Sequence, residues 1–212
     1  MRRREPVTAK KASRKPQSRA ADSPNLLDKL ESHEAAAVLS GLLARHAELR
    51  TEAEAIARSV LAKVSMLTVA AEVEDALLQF GYDDLNGRAG RHSWGYVEPN
   101  EAAGELLEEA IKPFVTQMTR HLGMGLETEA LGICQGILLG LYQVRDGSGN
   151  DILREVPEFP DESAAYVVGL WAGKDGVKTG RRRNIPPEFV REHLPEWDWV
   201  LEAAGQKADK ES

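Results

Sequence analysis

Residues 127–145 read ETEALGICQGILLGLYQVR, apolar almost all round the helical wheel and interrupted by glycines at 132, 136 and 140. An all-round apolar helix is buried on several sides. Each interior glycine costs a helix about 1 kcal/mol relative to alanine, so some interaction along the stripe must offset about 3 kcal/mol. Glycines four residues apart lie on one face, and the expected offset is the backbone of another helix running close against it. A ligand lying on the bare backbone is the alternative. The uncharged run from Ala130 to Tyr142 is well short of the roughly 20 residues that cross a bilayer, so the stripe is not that of a membrane dimer.

The rest of the chain supplies partners for such a helix. Aromatic residues are sparse at 6% of the 212 residues, and runs alternating with period two are almost absent, which predicts an all-α protein. SHEAAAVLSGLLARH offers Ser32 as a cap, with Val38, Leu39, Leu42 and Leu43 at helical spacing. TEAEAIARSVLAKV opens with Thr51 and Glu54 at capping-box spacing, and Ile56, Val60, Leu61 and Val64 form its apolar face. TVAAEVEDALLQF predicts a helix burying Val69, Val73, Leu77 and Phe80, ended by Gly81 as a left-handed cap. EPNEAAGELLEEAIKPFVTQMTRHLG continues the pattern, with a kink expected at Pro113. DESAAYVVGLWAGK gives a further helix, and PPEFVREHLPEWDWVLEAAG two short ones divided at Pro195. The expected architecture is an array of antiparallel helix pairs packed around a buried, glycine-striped central helix.

Charge divides the chain further. Residues 1–20 carry eight cations against Glu5 alone, a net +7, which leaves −14 for residues 21–212 within the overall −7. Residues 1–22 are also poor in large apolar side chains and carry Pro6 and Pro16, so they are expected to be a disordered basic arm. The predicted organisation is this arm, a helical core over 23–173, a basic linker over 174–186, short helices over 187–205 and a frayed tail over 206–212. Arg2, Arg3, Arg4, Lys10, Lys11, Arg14 and Lys15 in the arm, with Arg181, Arg182 and Arg183 in the linker, are the candidate nucleic-acid contacts. No recognised DNA- or RNA-reading motif accompanies them.

GYDDLNGRAGRHSWGYVEPN, residues 81–100, has no clear helical period and gathers the other candidates. Tyr82, Asp83, Asp84, Arg88, Arg91, His92, Trp94 and Tyr96 make it a connector first, a partner-binding loop second and an active site third. His92 and Ser93 are adjacent, so their side chains diverge, and Ser93 has no nucleophile-elbow glycines. Asp83 and Asp84 lack the alternating oxygen ligands of a calcium loop. The remaining histidines, at 33, 46, 121 and 193, form no metal-binding helix motif. Cys134 is the single cysteine, so a disulfide framework and a cysteine-based zinc site are both excluded. No catalytic set, metal or cofactor is expected.

LLARHAELRTEAEAIARSVL, GYVEPNEAAGELLEEAIKPF, CQGILLGLYQVR and VPEFPDESAAYVVGLW together resemble uncharacterised bacterial helical proteins, including the helical segments that accompany SWIM zinc fingers. The similarity spans roughly residues 26–171 and lies in rhythm rather than in a diagnostic motif. It implies an α-helical interaction module, and with the zinc ligands missing no binding residue carries over. The N-terminus has no apolar signal core. A cytoplasmic protein is expected, with a protein partner, nucleic acid as a second partner through the arm, no membrane partner, and self-association open.

Overall fold

The computed structural model describes residues 26–93, 95–147, 149–173 and 183–205. Residues 1–25, Trp94, Ser148, 174–182 and 206–212 lie outside that range, and with them the expected arm, most of the linker and the tail. Among the described residues there are ten α-helices and one two-stranded sheet, so the chain is predominantly all-α. None of these helices is long and apolar enough to cross a membrane.

The chain divides into two compact units, residues 1–54 and 55–212. In the first, a 3-10 turn over Leu26–Lys29 precedes α1 (Ser32–Arg45). The helix begins one residue earlier than the Ser32 cap predicts: Glu31 is the N-cap, and its backbone N–H donates to the Glu34 carboxylate at 3.0 Å. α1 ends where the His46 N–H donates to the Leu42 carbonyl. A second 3-10 turn, Ala47–Leu49, runs directly into α2 (Arg50–Leu61), so Thr51 lies inside the helix and the expected Thr51–Glu54 box does not form its start. Neither α1 nor α2 contains a buried residue.

The second unit holds the core. α3 (Met66–Leu78) starts at Ser65, whose hydroxyl accepts from the Thr68 N–H at 3.3 Å. α4 (Tyr82–Arg88), β1 (Gly90–His92) and β2 (Gly95–Val97) follow, and then α5 (Pro99–Gly123), one continuous 25-residue helix through Pro113. α6 (Glu127–Val144) is central, packed against α3, α5 and α8 (Phe159–Ala172), with α7 (Asp151–Glu155) in the connection between α6 and α8.

The glycine stripe answers to α3. A Cβ on Gly136 would stand 2.6 Å from Val69 Cβ and 2.8 Å from the Met66 carbonyl oxygen; one on Gly140 would stand 2.8 Å from the Ala70 oxygen. These distances leave no room for a side chain, so the two helices meet backbone to backbone as the spacing predicts. At Gly132 the nearest atom is Val64 Cγ1 at 3.3 Å, and the approach is already opening.

α8 stops at Gly173, which takes the left-handed cap conformation with φ 77°. Beyond the linker, α9 (Pro187–His193) and α10 (Trp199–Ala203) lie on the core. Ile185, Phe189, Val190, Leu194, Trp197, Val200 and Leu201 are all buried. Trp171 Nε1 donates to the Asn184 carbonyl at 3.2 Å, and Trp197 meets Tyr142 edge to face at 5.3 Å. Arg145 lies 3.7 Å above the Tyr142 ring and donates to Glu196 at 3.1 Å, closing the join with a charged pair over an aromatic face.

Candidate functional site

The 81–100 segment is built rather than merely connecting. Gly81, expected as the left-handed end of the preceding helix, instead has φ −128° and caps the start of α4, its N–H donating to the Asp84 carboxylate at 2.9 Å. Asp83 and Asp84 occupy the first turn of α4, where carboxylates meet the positive end of the helix dipole. Leu85 is buried and fixes the helix on the core. β1 and β2 pair antiparallel, Arg91 facing Tyr96 and His92 facing Gly95.

The candidate residues divide by role. Arg88 donates to Glu109 of α5 at 2.6 Å. That hydrogen bond raises the Arg88 guanidinium above its usual value and holds the Glu109 carboxyl below its own. His92 Nε2 lies 2.7 Å from the Arg88 carbonyl oxygen; a carbonyl only accepts, so this nitrogen carries the proton and ties β1 to the end of α4. Tyr82 and Tyr96 are exposed, as is Arg91, and Trp94 lies outside the described residues. His92 therefore has a structural bond, and Asp84 is spent on a cap. Among the described residues no group of three or more His, Cys, Asp or Glu side chains is placed to hold a metal ion.

Of the candidate phosphate contacts, Arg2, Arg3, Arg4, Lys10, Lys11, Arg14, Lys15, Arg181 and Arg182 lie outside the described residues. Arg183 is turned inward: its side chain is 9% exposed, it pairs with Glu127 at 3.3 Å, and its guanidinium lies 5.8 Å from the Trp171 ring centre. Cys134 is fully buried, and burial pushes its thiol far above the usual value, which leaves it unreactive in the folded chain.

Two features escaped sequence reasoning. The first is the exposure of the expected apolar face of α1, where Val38 is 48% exposed, Leu39 49% and Leu42 44% on a helix with no buried residue. The second is a groove of about 670 Å³ between α5 and α8 in the second unit. Ile111, Val115, Phe159 and Leu170 line its bottom, and the Tyr166 ring stands at its lip. Glu105, Glu108, Glu109 and Glu162 rim it, with Lys112 as the single cation. The EEAIKPFVTQMT and FPDESAAYVVGL segments carried the signal, an acidic row beside an apolar row at helical spacing, but their pairing across two helices is a tertiary fact.

The described residues form a predominantly helical protein in which no group of three or more His, Cys, Asp or Glu side chains is placed to hold a metal ion. The chain matches no protein-family model, no curated protein and no solved structure.

Proposed function

We propose that this protein is a helical interaction module of the cytoplasm, acting by binding another protein rather than by catalysis. The observation that carries the reading is α1. Short helices in water owe most of their stability to packing of an apolar face, and α1 presents Val38, Leu39 and Leu42 with no buried residue of its own. A partner surface is the natural cover for that face. The single cysteine, buried and unpaired, fits a reducing compartment.

The test is affinity enrichment of the tagged chain from its native lysate, with nuclease, in parallel with a Leu39→Glu/Leu42→Glu variant. Both positions are exposed, so the variant is expected to fold and to lose the partner. Retention of the same partners by the variant would remove α1 from the interface, and enrichment of none would overturn the reading.

A second reading rests on the net +7 of residues 1–20. An arm of that charge beside an acidic body suits nucleic acid, with the arm as the anchor. It predicts binding that weakens steeply with salt and disappears when residues 1–20 are removed. Binding unchanged by that truncation would exclude the arm.

A further inference from the structure

The α5–α8 groove has a length, a floor and a sign. Along α5 its lining runs from Glu105 to Thr119, fourteen residue steps, or about 21 Å at 1.5 Å per residue. Along α8 it runs from Phe159 to Leu170. The two spans are about four and about three helical turns. The floor is apolar, with Ile111 and Phe159 buried and Val115 and Leu170 half-buried, while Tyr166 leaves 55% of its surface in water. An amphipathic helix laid in such a groove seats side chains at i, i+3 or i+4 and i+7.

Its rim selects the charge of the occupant. Glu109 is held by Arg88, whereas Glu105, Glu108 and Glu162 make no salt bridge among the described residues. Three carboxylates along an apolar floor attract Lys and Arg and repel acidic or phosphorylated ligands.

We propose that this groove docks a cationic amphipathic helix of a protein partner, apolar side chains on Ile111, Val115, Phe159 and Leu170 and its Lys or Arg residues on Glu105, Glu108 and Glu162. The proposal goes beyond the α1 reading and stands apart from it, because Leu39→Glu/Leu42→Glu leaves every groove residue intact.

The experiment is fluorescence anisotropy with the full chain and three labelled probes: a 14-residue Leu/Lys peptide of helical period, the same peptide with Glu for Lys, and oligolysine of equal charge. The Leu/Lys helix is expected to bind at least about tenfold more tightly than oligolysine, with no binding of the Leu/Glu helix. Glu105→Lys/Glu108→Lys/Glu162→Lys is expected to weaken it by at least about tenfold, since three attractions become repulsions at exposed positions. Circular dichroism checks that the variant is folded, and Tyr166→Ala, which trims only an exposed ring, is expected to weaken binding about threefold or more. Equal binding by wild type and both variants would overturn the proposal, as would oligolysine binding as tightly as the helix. Sedimentation as a dimer that the triple variant abolishes would give the groove to a second copy and overturn it equally.

Discussion

At Gly136 and Gly104 the same substitution has opposite signs. Both sit inside helices, and alanine at either gains about 1 kcal/mol of helix propensity. At Gly104 an added Cβ meets nothing within 4 Å, so Gly104→Ala is expected to stabilise the protein by about 0.5 to 1 kcal/mol. At Gly136 it meets Val69 Cβ at 2.6 Å and the Met66 oxygen at 2.8 Å, and a backbone oxygen moves only if α3 moves. Overpacking of this kind costs about 1 to 3 kcal/mol, occasionally more. Gly136→Ala is expected to lose up to about 2 kcal/mol net in urea unfolding, and a gain like that at Gly104 would mean that α3 and α6 slide apart freely. Asn150 carries a second residue-scale prediction. Its carbonyl oxygen accepts from the Ile152 and Leu153 N–H groups at the start of α7, while its amide donates to the Leu78 and Phe80 carbonyls at the end of α3. One buried side chain thus satisfies orphan groups of two helix ends. Asn150→Ala should cost about 2 to 4 kcal/mol, the cap plus the stranded carbonyls. Asn150→Asp retains the cap acceptor but turns a carboxylate on two carbonyls, and should be no better than alanine at neutral pH. An aspartate variant as stable as wild type would assign the bonds to the α7 cap alone.

Among the helices, burial separates what periodicity cannot. α6 buries ten of its residues and α1 none, although both sequences carry apolar side chains at helical spacing. Local opening free energy follows buried contacts, so native-state hydrogen exchange should find α6 amides opening near the global unfolding free energy and those of α1 far more readily. Equal protection in the two helices of the isolated protein would mean that α1 is already covered. This contrast also explains how much was legible in the sequence. The central helix was readable because glycines at four-residue spacing in an apolar run allow few outcomes. The apolar face of α1 was readable as a face, but nothing in Val38, Leu39 and Leu42 distinguishes a face that becomes buried from one that stays exposed. α4 was missed because its seven residues give the helical period only Leu85 to mark, and its cap is a glycine read as the end of α3. The hairpin has three residues per strand, too few for alternation to register. Asn150 lay in a Gly-rich loop, and its partners 70 and 72 residues away exist only after folding.

For the whole molecule, the two ends of the chain should differ in what they contribute to the core. No described residue before Val69 belongs to the buried cluster, whereas that cluster runs on through Ile185, Phe189, Val190, Leu194, Trp197, Val200, Leu201 and Ala204. A chain beginning at Lys63 retains Ser65 as the cap of α3 and every side chain that is buried among the described residues. It is expected to unfold within about 2 to 4 °C of the full protein, the shift that about 1 kcal/mol produces in a domain of this size. A chain ending at Gly173 loses the C-terminal cover, and with it the Asn184 carbonyl that Trp171 donates to and the Trp197 ring that meets Tyr142. Removing Trp197 alone by alanine substitution costs about 3 to 5 kcal/mol, and the truncation removes six other buried large side chains with it. Against the 5 to 15 kcal/mol by which ordinary domains are stable, that loss leaves no cooperative fold. The comparison is made by thermal unfolding followed by circular dichroism. A sharp transition in the chain ending at Gly173 would mean that α3, α5, α6 and α8 close a core by themselves and that residues 183–205 are an accessory. Loss of the transition in the chain beginning at Lys63 would instead give residues 1–62 a structural part.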